Sequence, residues 1–391
     1  MNELIKCYVC KSMTSVPHTF YVEMCHECGE INLAKRYATA DLKGTTALVT
    51  GGRLKIGFHV TLKLLRAGAR VAITTRFSED ALKRFAAEDD SSIWIERLHV
   101  YAADFRVLAS IEHVIDRISR EFEVLDILVN NAAQTVRRPP VFYQNLINHE
   151  KLELLVTGGV THLLPSSTVS AIDIVAKEGR GLRTQSICSD PDYIACLSQV
   201  PLVEGDEVFD EQLFPKGRID KDGQQEDRRD KNSWMMMLNE VSLPEMLEVL
   251  YINVVAPFLL CNRLKNIMQK RAKQQPSFIV NVSAMEGNFF DPDKNSRHPH
   301  TNMAKAAINM MTRTAADDFR RSGIYMNAVD PGYITNEKPF PLSQALGDRR
   351  EKMAIDEIDG AARVCDPIFR AINNNEYLAG ELLKNYSRYS W

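Results

Sequence analysis

The chain has 391 residues, with 48 Lys and Arg against 51 Asp and Glu and a formal net charge of −3. That near-balance argues against a nucleic-acid or membrane surface as partner, and the length holds one large or two modest cores. No basic start with an apolar run and cleavage site is present, and the longest apolar stretch, Val249–Cys261, is too short to span a bilayer and carries Asn253. The expectation is a cytoplasmic protein without a membrane partner.

Four of the eight cysteines open the chain as Cys7-x-x-Cys10 and Cys25-x-x-Cys28. In a cytoplasmic protein two such pairs read as a tetrahedral zinc site rather than disulfides. Residues 1–40 are therefore expected to form a small zinc ribbon, since so short a segment does not fold on core burial alone. Gly29 reads as the turn residue that aims the thiolates, and His18 and His26 as surface residues outside a completed ligand shell. A structural cap on the next domain is the favoured use. Protein docking and nucleic-acid contact are the other uses of such ribbons.

From Thr46 a strand (Ala47-Leu48-Val49) runs into Thr50-Gly51-Gly52-Arg53-Leu54-Lys55-Ile56-Gly57. A helix carrying Ile56, Val60 and Leu64 follows, then a strand, Val71-Ala72-Ile73. Glycines in such a turn let backbone N–H groups approach a pyrophosphate, and the helix N-terminus adds positive potential. A polar helix (Ser78 to Ala87) leads to a strand at Leu98–Tyr101 ending near Asp104. The next helix places Leu108, Ile111, Ile115, Ile118 and Phe122 on one face. The strand Leu125–Val129 ends in Asn130-Asn131-Ala132-Ala133.

Nearly continuous apolar strands alternating with helices predict an α/β fold, a doubly wound parallel sheet of Rossmann type, over residues 44–391. An insertion at 140–232 interrupts it. Leu152–Leu164 reads as a hairpin, and the doubly charged Gly205 to Asn232 as a mobile loop. The insertion leaves the sheet at a carboxyl end, which places it as a lid, a substrate wall or a partner surface; a remote elaboration is the plainer alternative. Ser242-x-x-Glu245, with Pro244 in the first turn, caps a long helix that Pro257 is expected to kink near Asn253. A strand ending at Ser283, a helix from about Thr301, a strand before Pro331-Gly332 and a last one within Tyr377–Leu383 complete the chain.

Thr50-Gly51 with Gly57, Asp104, Asn130-Asn131-Ala132, Asn253 in Asn253-Val-Val-Ala-Pro257, Ser283, Lys305 and Asn327–Ile334 together resemble the short-chain dehydrogenase/reductase family. The resemblance covers roughly residues 44–139 and 233–384. It implies that Gly51 and Gly57 line a pyrophosphate, with Lys55 and Ile56 in the same turn. Asp104 would accept from the adenine amino group. Asn130, Asn131, Ala132, Pro331 and Gly332 would lie on the nicotinamide side. Ser283 would hold a substrate oxygen, Lys305 the ribose hydroxyls, and Asn253 a water relay. The second strand ends Thr74-Thr75-Arg76, with no acid for a ribose 2′-hydroxyl. Arg76, with Arg53, suits a 2′-phosphate, hence NADP(H) over NAD(H).

Two departures stand out. Lys55 replaces a motif glycine, and Thr301 occupies the position four before Lys305 where the family carries its proton-donating Tyr. An aliphatic alcohol is a far weaker acid than a phenol. His300 or His298 could supply the proton, Tyr333 could reach in, or the reaction needs no such acid, as in reduction of an activated C=C or C=N bond. The expected function is an atypical NADP(H)-dependent oxidoreductase that passes hydride to or from a small-molecule C=O, C=N or C=C group. The alternative is a catalytically impaired NADP-binding sensor or scaffold acting on a protein partner through its ribbon or insertion. By the same resemblance, the helices carrying Asn253 and Lys305 are where a homo-oligomer would form.

Overall fold

A computed structural model describes residues 4–147, 191–334, 337–340, 342 and 353–391, apart from the single residues 208, 221, 273 and 293. The expected hairpin at Leu152–Leu164 lies outside the described residues. A two-stranded antiparallel ribbon, β1 (Ile5–Lys6) with β2 (Met13–Thr14), precedes helix α1 (His26–Arg36). The main sheet then opens with β3 (Thr46–Thr50), β4 (Arg70–Thr75), β5 (Leu98–Ala102) and β6 (Ile127–Asn130). It continues with β7 (Ser277–Val282), β8 (Ile324–Asp330), β9 (Leu382–Lys384) and β10 (Ser387–Tyr389).

The eight strands lie in the order β10-β9-β8-β7-β6-β3-β4-β5, parallel throughout except for the terminal β9–β10 pair. Both faces are covered, which is why the strands are apolar at consecutive positions. Ala47, Val49, Val71 and Val129 pack in one core with α2 (Lys55–Arg66), α3 (Ser78–Ala86) and α8 (Glu357–Asn374). Leu48, Ala72, Leu128 and Ile279 pack on the other face with α4 (Leu108–Glu121), α6 (Ala256–Ala272) and α7 (Pro299–Arg321). On α4 the apolar face is Ile111, Ile115 and Ile118; Leu108, the first residue of the helix, is exposed.

Chain order reverses at β3, whose neighbours are β4 and β6. The crevice beyond the carboxyl ends of these strands is where such a sheet binds ligands.

Ser242 Oγ accepts from the Glu245 N–H and caps α5 (Leu243–Leu250). The expected bend takes the form of a π-helical turn over Tyr251–Val255, with Pro257 in the first turn of the helix after it. The extra residue in that turn points the Asn253 amide away from the helix, where it bonds the Gln134 backbone N–H and C=O at 2.8 and 3.1 Å. The run Leu243–Ala272 is long and apolar enough to cross a membrane by length and composition. It nevertheless packs Val249, Leu260, Leu264 and Met268 into the protein core.

Two sequence expectations about the ribbon need correction. Gly29 lies inside α1, and a Cβ there would fall 2.2 Å from the His18 ring, so the glycine makes room for a side chain rather than a turn. His18 is buried: its Nδ1 accepts from the Phe20 and Tyr21 N–H groups and its Nε2 lies 3.0 Å from Glu30. Only His26 is a surface residue.

The charged segment from Gly205 to Asn232 is not the loose loop its composition suggests. Arg137 forms two hydrogen bonds to buried Asp206 at 2.7 and 2.6 Å, Arg138 pairs with Asp227, and Phe214 joins Phe77, Phe142 and Tyr143 in a small core. Opposite charges that look merely solvated in sequence are matched to partners some 70 to 90 positions upstream.

Candidate functional site

The crevice beyond β3, β4, β5 and β6 is an open cleft of about 730 Å³, within the roughly 300–1,000 Å³ of ligand pockets. Its floor is the β3–α2 turn. Gly51 has φ +66°, and a Cβ on it would lie 2.9 Å from the Ala132 Cα. At Gly57 a Cβ would meet the Gly51 carbonyl oxygen at 2.2 Å and Asn131 Nδ2 at 2.5 Å. Asn131 holds the turn by donating to the Thr50 and Gly51 carbonyls at 3.0 and 3.1 Å. Backbone cannot retreat from such a contact, and overpacking costs about 1–3 kcal/mol. Gly57→Ala is expected to lose roughly that much in urea denaturation; wild-type stability would contradict the tight turn.

Gly51, Arg53, Lys55, Ile56, Gly57, Arg76, Asp104, Asn131 and Ala132 all line the cleft. Their environments differ. Arg53 donates to Asp80 at 2.6 Å and to Gln224 at 3.3 Å, so its charge is already matched. Arg76 instead donates to the Tyr143 hydroxyl at 2.9 Å and stacks over Phe77 and Tyr143; among the described residues no carboxylate pairs with it. Burial pushes the Tyr143 phenol up, but Arg76, then Arg106 and Arg138, outweigh it and hold the phenol below its ordinary value. A phenol acidified by three guanidinium groups marks a strongly positive field at this end of the cleft.

Asp104 lies opposite, with its carboxylate gripped by Arg106 through 3.0 and 2.6 Å bonds. Burial raises its pKa, yet Arg106 outweighs that and keeps it ionised. Lys55, at φ +52°, lies 3.9 Å from Asp222 and 3.8 Å from Glu337.

The outer wall comes from the insertion: Arg218, Gln224, Asp227, Arg229 and Asn232 all line the cleft, as do Glu337–Phe340 after β8. Asn232 Nδ2 joins the two by donating to the Glu337 carbonyl at 3.0 Å. Sequence reasoning missed Arg106, Arg138, Tyr143 and these wall residues. Arg106, two residues after Asp104, is the only one with a local signal.

Asn130 turns away from the cleft, donating to Asn281 at 2.8 Å within the sheet. Ser283, Thr301, Lys305 and His300 are buried and are not among the cleft-lining residues. Ser283 Oγ donates to Asn309 at 2.5 Å, and among the described residues Thr301 Oγ1 has no hydrogen-bond partner. The His300 ring nitrogens likewise have no hydrogen-bond partner among the described residues, and Nε2 faces Glu245, 3.6 Å away. His298 stacks on Trp234 at 4.0 Å, and burial holds its imidazole below the usual range. Tyr333 is 45% exposed, and burial, then Glu337, raises its phenol.

Lys305 donates to the Val282 carbonyl at 2.8 Å, and burial lowers its pKa to about 8 despite Glu286 and Asp330. Between about pH 8 and 10.5 the unfolded chain binds a proton here that the folded chain does not, so this group's contribution makes stability rise with pH across that window. Comparing the melting temperature of Lys305→Met with wild type from pH 7.5 to 10 isolates the contribution: the wild-type curve should gain on the variant as pH rises. Parallel curves would contradict the depressed pKa.

At the chain's start, the four sulfurs of Cys7, Cys10, Cys25 and Cys28 lie within 4.8 Å of one another, with Cys10 and Cys25 3.8 Å apart. Ligands about 2.3 Å from one tetrahedral ion lie close to 3.8 Å apart, so the cluster has the dimensions of a single metal site.

Comparison with known proteins follows the same lines. Residues 45–153 match the family described as short chain dehydrogenase, and residues 231–359 that described as Enoyl-(Acyl carrier protein) reductase. The chain is 32% identical over 375 residues to an uncharacterized protein of Acanthamoeba polyphaga mimivirus, covering 93% of this chain and 71% of that protein. It is 40% identical over 101 residues to a short chain dehydrogenase/reductase of Macrophomina phaseolina, covering 26% of this chain and 57% of that one. The NADP active-site complex of Pseudomonas aeruginosa RhlG shares the fold with a TM-score of 0.53 at 17% identity, over 88% of this chain and 95% of that one. A short chain dehydrogenase from Burkholderia cenocepacia in complex with NADP gives 0.53 at 19% identity, over 88% and 97%. The sheet order, the glycine turn beneath its switch-point cleft and the two family matches agree: this chain belongs to the short-chain dehydrogenase/reductase family.

Proposed function

We propose that the protein is an NADP(H)-dependent oxidoreductase acting on a small molecule, with a structural zinc ion in its N-terminal ribbon. The observation that carries the cofactor assignment is Arg76, a guanidinium lining the cleft with no carboxylate partner among the described residues, beside an acidified Tyr143. The two structural neighbours described above were both solved with NADP, which supports the same reading. Gly51 and Gly57 leave the pyrophosphate room against backbone N–H groups, and Asn131, Ala132, Pro331 and Gly332 would flank the nicotinamide. Lys305, which donates to the Val282 carbonyl and is not among the cleft-lining residues, would have to turn toward the cleft to hold the ribose hydroxyls. When bound, NADPH supplies the hydride. The four ribbon thiolates match zinc in number, type and spacing.

Thr301 cannot act as the family's tyrosine does, and neither histidine beside it is among the residues lining the cleft. The reading that follows is reduction of an activated C=C or C=N bond, in which hydride adds to carbon and solvent water supplies the proton that completes the product, so the helix need not deliver one to an oxygen. Turnover of NADPH, followed by its absorbance with enone, imine and carbonyl panels, tests this. Activity on enones or imines that survives Thr301→Val is expected. Activity confined to carbonyls and lost in that variant would contradict it.

One observation favours the second reading, a non-catalytic NADP-binding sensor or scaffold: Ser283, Thr301 and His300 are all buried, and Ser283 is engaged by Asn309. Tight NADPH binding with no turnover on any panel supports that reading. Leu243, Leu247, Phe258, Met303 and Met310 form exposed apolar positions on α5, α6 and α7. We assign them to a homo-oligomer interface in a soluble cytoplasmic protein. Light scattering should give at least a dimer, and a monomer at micromolar concentration would contradict it.

A further inference from the structure

The ribbon is not a cap at the edge of the molecule. Tyr8, between Cys7 and Cys10, accepts a hydrogen bond at its hydroxyl from the Tyr333 backbone N–H at 3.1 Å. From the other cysteine pair runs a second chain of bonds. Asn32 Nδ2 donates to the Cys28 carbonyl at 2.8 Å, Arg363 Nη2 donates to Asn32 Oδ1 at 3.1 Å, and Arg363 Nη1 donates to the Pro331 carbonyl at 2.8 Å.

Gly332 sits between these two arms with φ +94°. A Cβ there would fall 2.1 Å from Arg363 Nη1 and 3.0 Å from the Tyr8 hydroxyl. Cys7, Tyr21 and Met24 complete the contact by packing on Ile334, Ile355 and Ile56. Ile56 belongs to the glycine turn, and Glu337–Phe340, just downstream of the same loop, line the cleft. The ribbon is also clamped to α8, the helix that carries Arg363. Arg36 pairs with Asp356 and Asp359, Lys35 with Asp366, and the Tyr21 hydroxyl donates to Asp359 at 2.6 Å.

We propose that Tyr8 and Arg363 are positioning residues through which the metal-loaded cysteine cluster fixes the Pro331–Ile334 loop, so that zinc occupancy sets the affinity of the adjoining cleft for its nicotinamide nucleotide. This rests on the cofactor assignment above. The physical basis is short-range. Both hydrogen-bonding arms originate within the two CxxC knuckles, whose backbone is fixed when four thiolates share one ion. Without the ion the knuckle that carries Tyr8 keeps its backbone bonds to Glu23 and Ser12 and its apolar contacts, but loses the four-thiolate crosslink that fixes both knuckles at once. Arg363 is 2% exposed and bridges ribbon and loop with separate N–H groups, so loss of the Asn32 end frees it to leave Pro331. Linkage makes the effect reciprocal: if zinc tightens nucleotide binding, nucleotide tightens zinc binding by the same factor.

The experiment uses the full chain in zinc-loaded and chelator-stripped forms, together with Tyr8→Phe, which keeps the ring and all four thiolates. Backbone hydrogen exchange, measured without nucleotide, should quicken at Gly332–Ile334 on stripping and in Tyr8→Phe, while β3, β4 and β6 keep their protection. NADPH affinity should fall about fivefold in Tyr8→Phe, as for loss of one hydrogen bond, and further on stripping. Zinc release to a colorimetric chelator should slow when NADPH is present. Exchange at Gly332–Ile334 that ignores both zinc and the Tyr8 hydroxyl overturns the proposal, and so does NADPH affinity equal in loaded, stripped and Tyr8→Phe protein. A chain that binds no NADPH in any form refutes the cofactor assignment and the affinity step together; exchange then reports on the loop contact alone, separating the two failures.

Discussion

Arg76→Ala is expected to weaken NADPH binding by about ten- to a hundredfold, the value of a charge-assisted contact to phosphate, while leaving NADH affinity near that of wild type. The asymmetry follows from what each arginine already holds. Arg53 is buried, matched by Asp80 and tied to Gln224, so a 2′-phosphate would have to compete for it. Arg76 faces the cleft with a phenol and two aromatic faces around it. Its positive field is what lowers the Tyr143 phenol against the opposing pull of burial. A phosphomonoester there gains a charged donor without displacing a carboxylate. Fluorescence titration of both nucleotides against both proteins decides the matter. Equal losses for NADPH and NADH would mean that Arg76 supports the adenosine in general and does not select the phosphate.

The second large effect concerns the metal. One zinc per chain is expected in the purified protein, and Cys25→Ser with Cys28→Ser should abolish it and lower the melting temperature. Structural zinc in such sites contributes about 10–16 kcal/mol of apparent binding free energy, and the ribbon has little else to fold on. Its own buried apolar side chains are few, Cys7, Tyr21 and Met24, and they reach outward to Ile334 and Ile355 instead of forming an independent core. Losing the ion therefore exposes Ile334 and Ile355 as well as melting the ribbon. Metal analysis with differential scanning calorimetry tests this. A metal-free double variant that melts at the wild-type temperature would show that the ribbon stands without zinc.

The strands were legible because burial on both faces leaves a local signature: Thr46–Thr50 and Ile127–Asn130 are apolar at successive positions, with no alternation to misread. The start of α5 was legible for a similar reason, since Ser242 caps it within its own sequence neighbourhood. What escaped notice depends on partners remote in the chain. Asp206 and Asp227 look like ordinary solvated charges until Arg137 and Arg138 are placed beside them. His18 reads as a surface residue because its real partners, two backbone N–H groups and the space left by Gly29, exist only once the ribbon is folded. Tyr8 carries no motif, and its contact with Tyr333 spans 325 positions. At the cleft, the residue types of the glycine turn and Arg76 could be read from sequence. That Asp80 already matches Arg53, while no described carboxylate pairs with Arg76, could be learned only in three dimensions.

Calorimetric titration of the zinc-loaded protein with NADPH and NADH measures the cofactor preference of the cleft itself. One nucleotide per chain, with NADPH the tighter ligand by about tenfold or more, is the predicted result. No heat from either nucleotide, or equal affinity for the two, would contradict a cleft built around a phosphorylated nicotinamide cofactor.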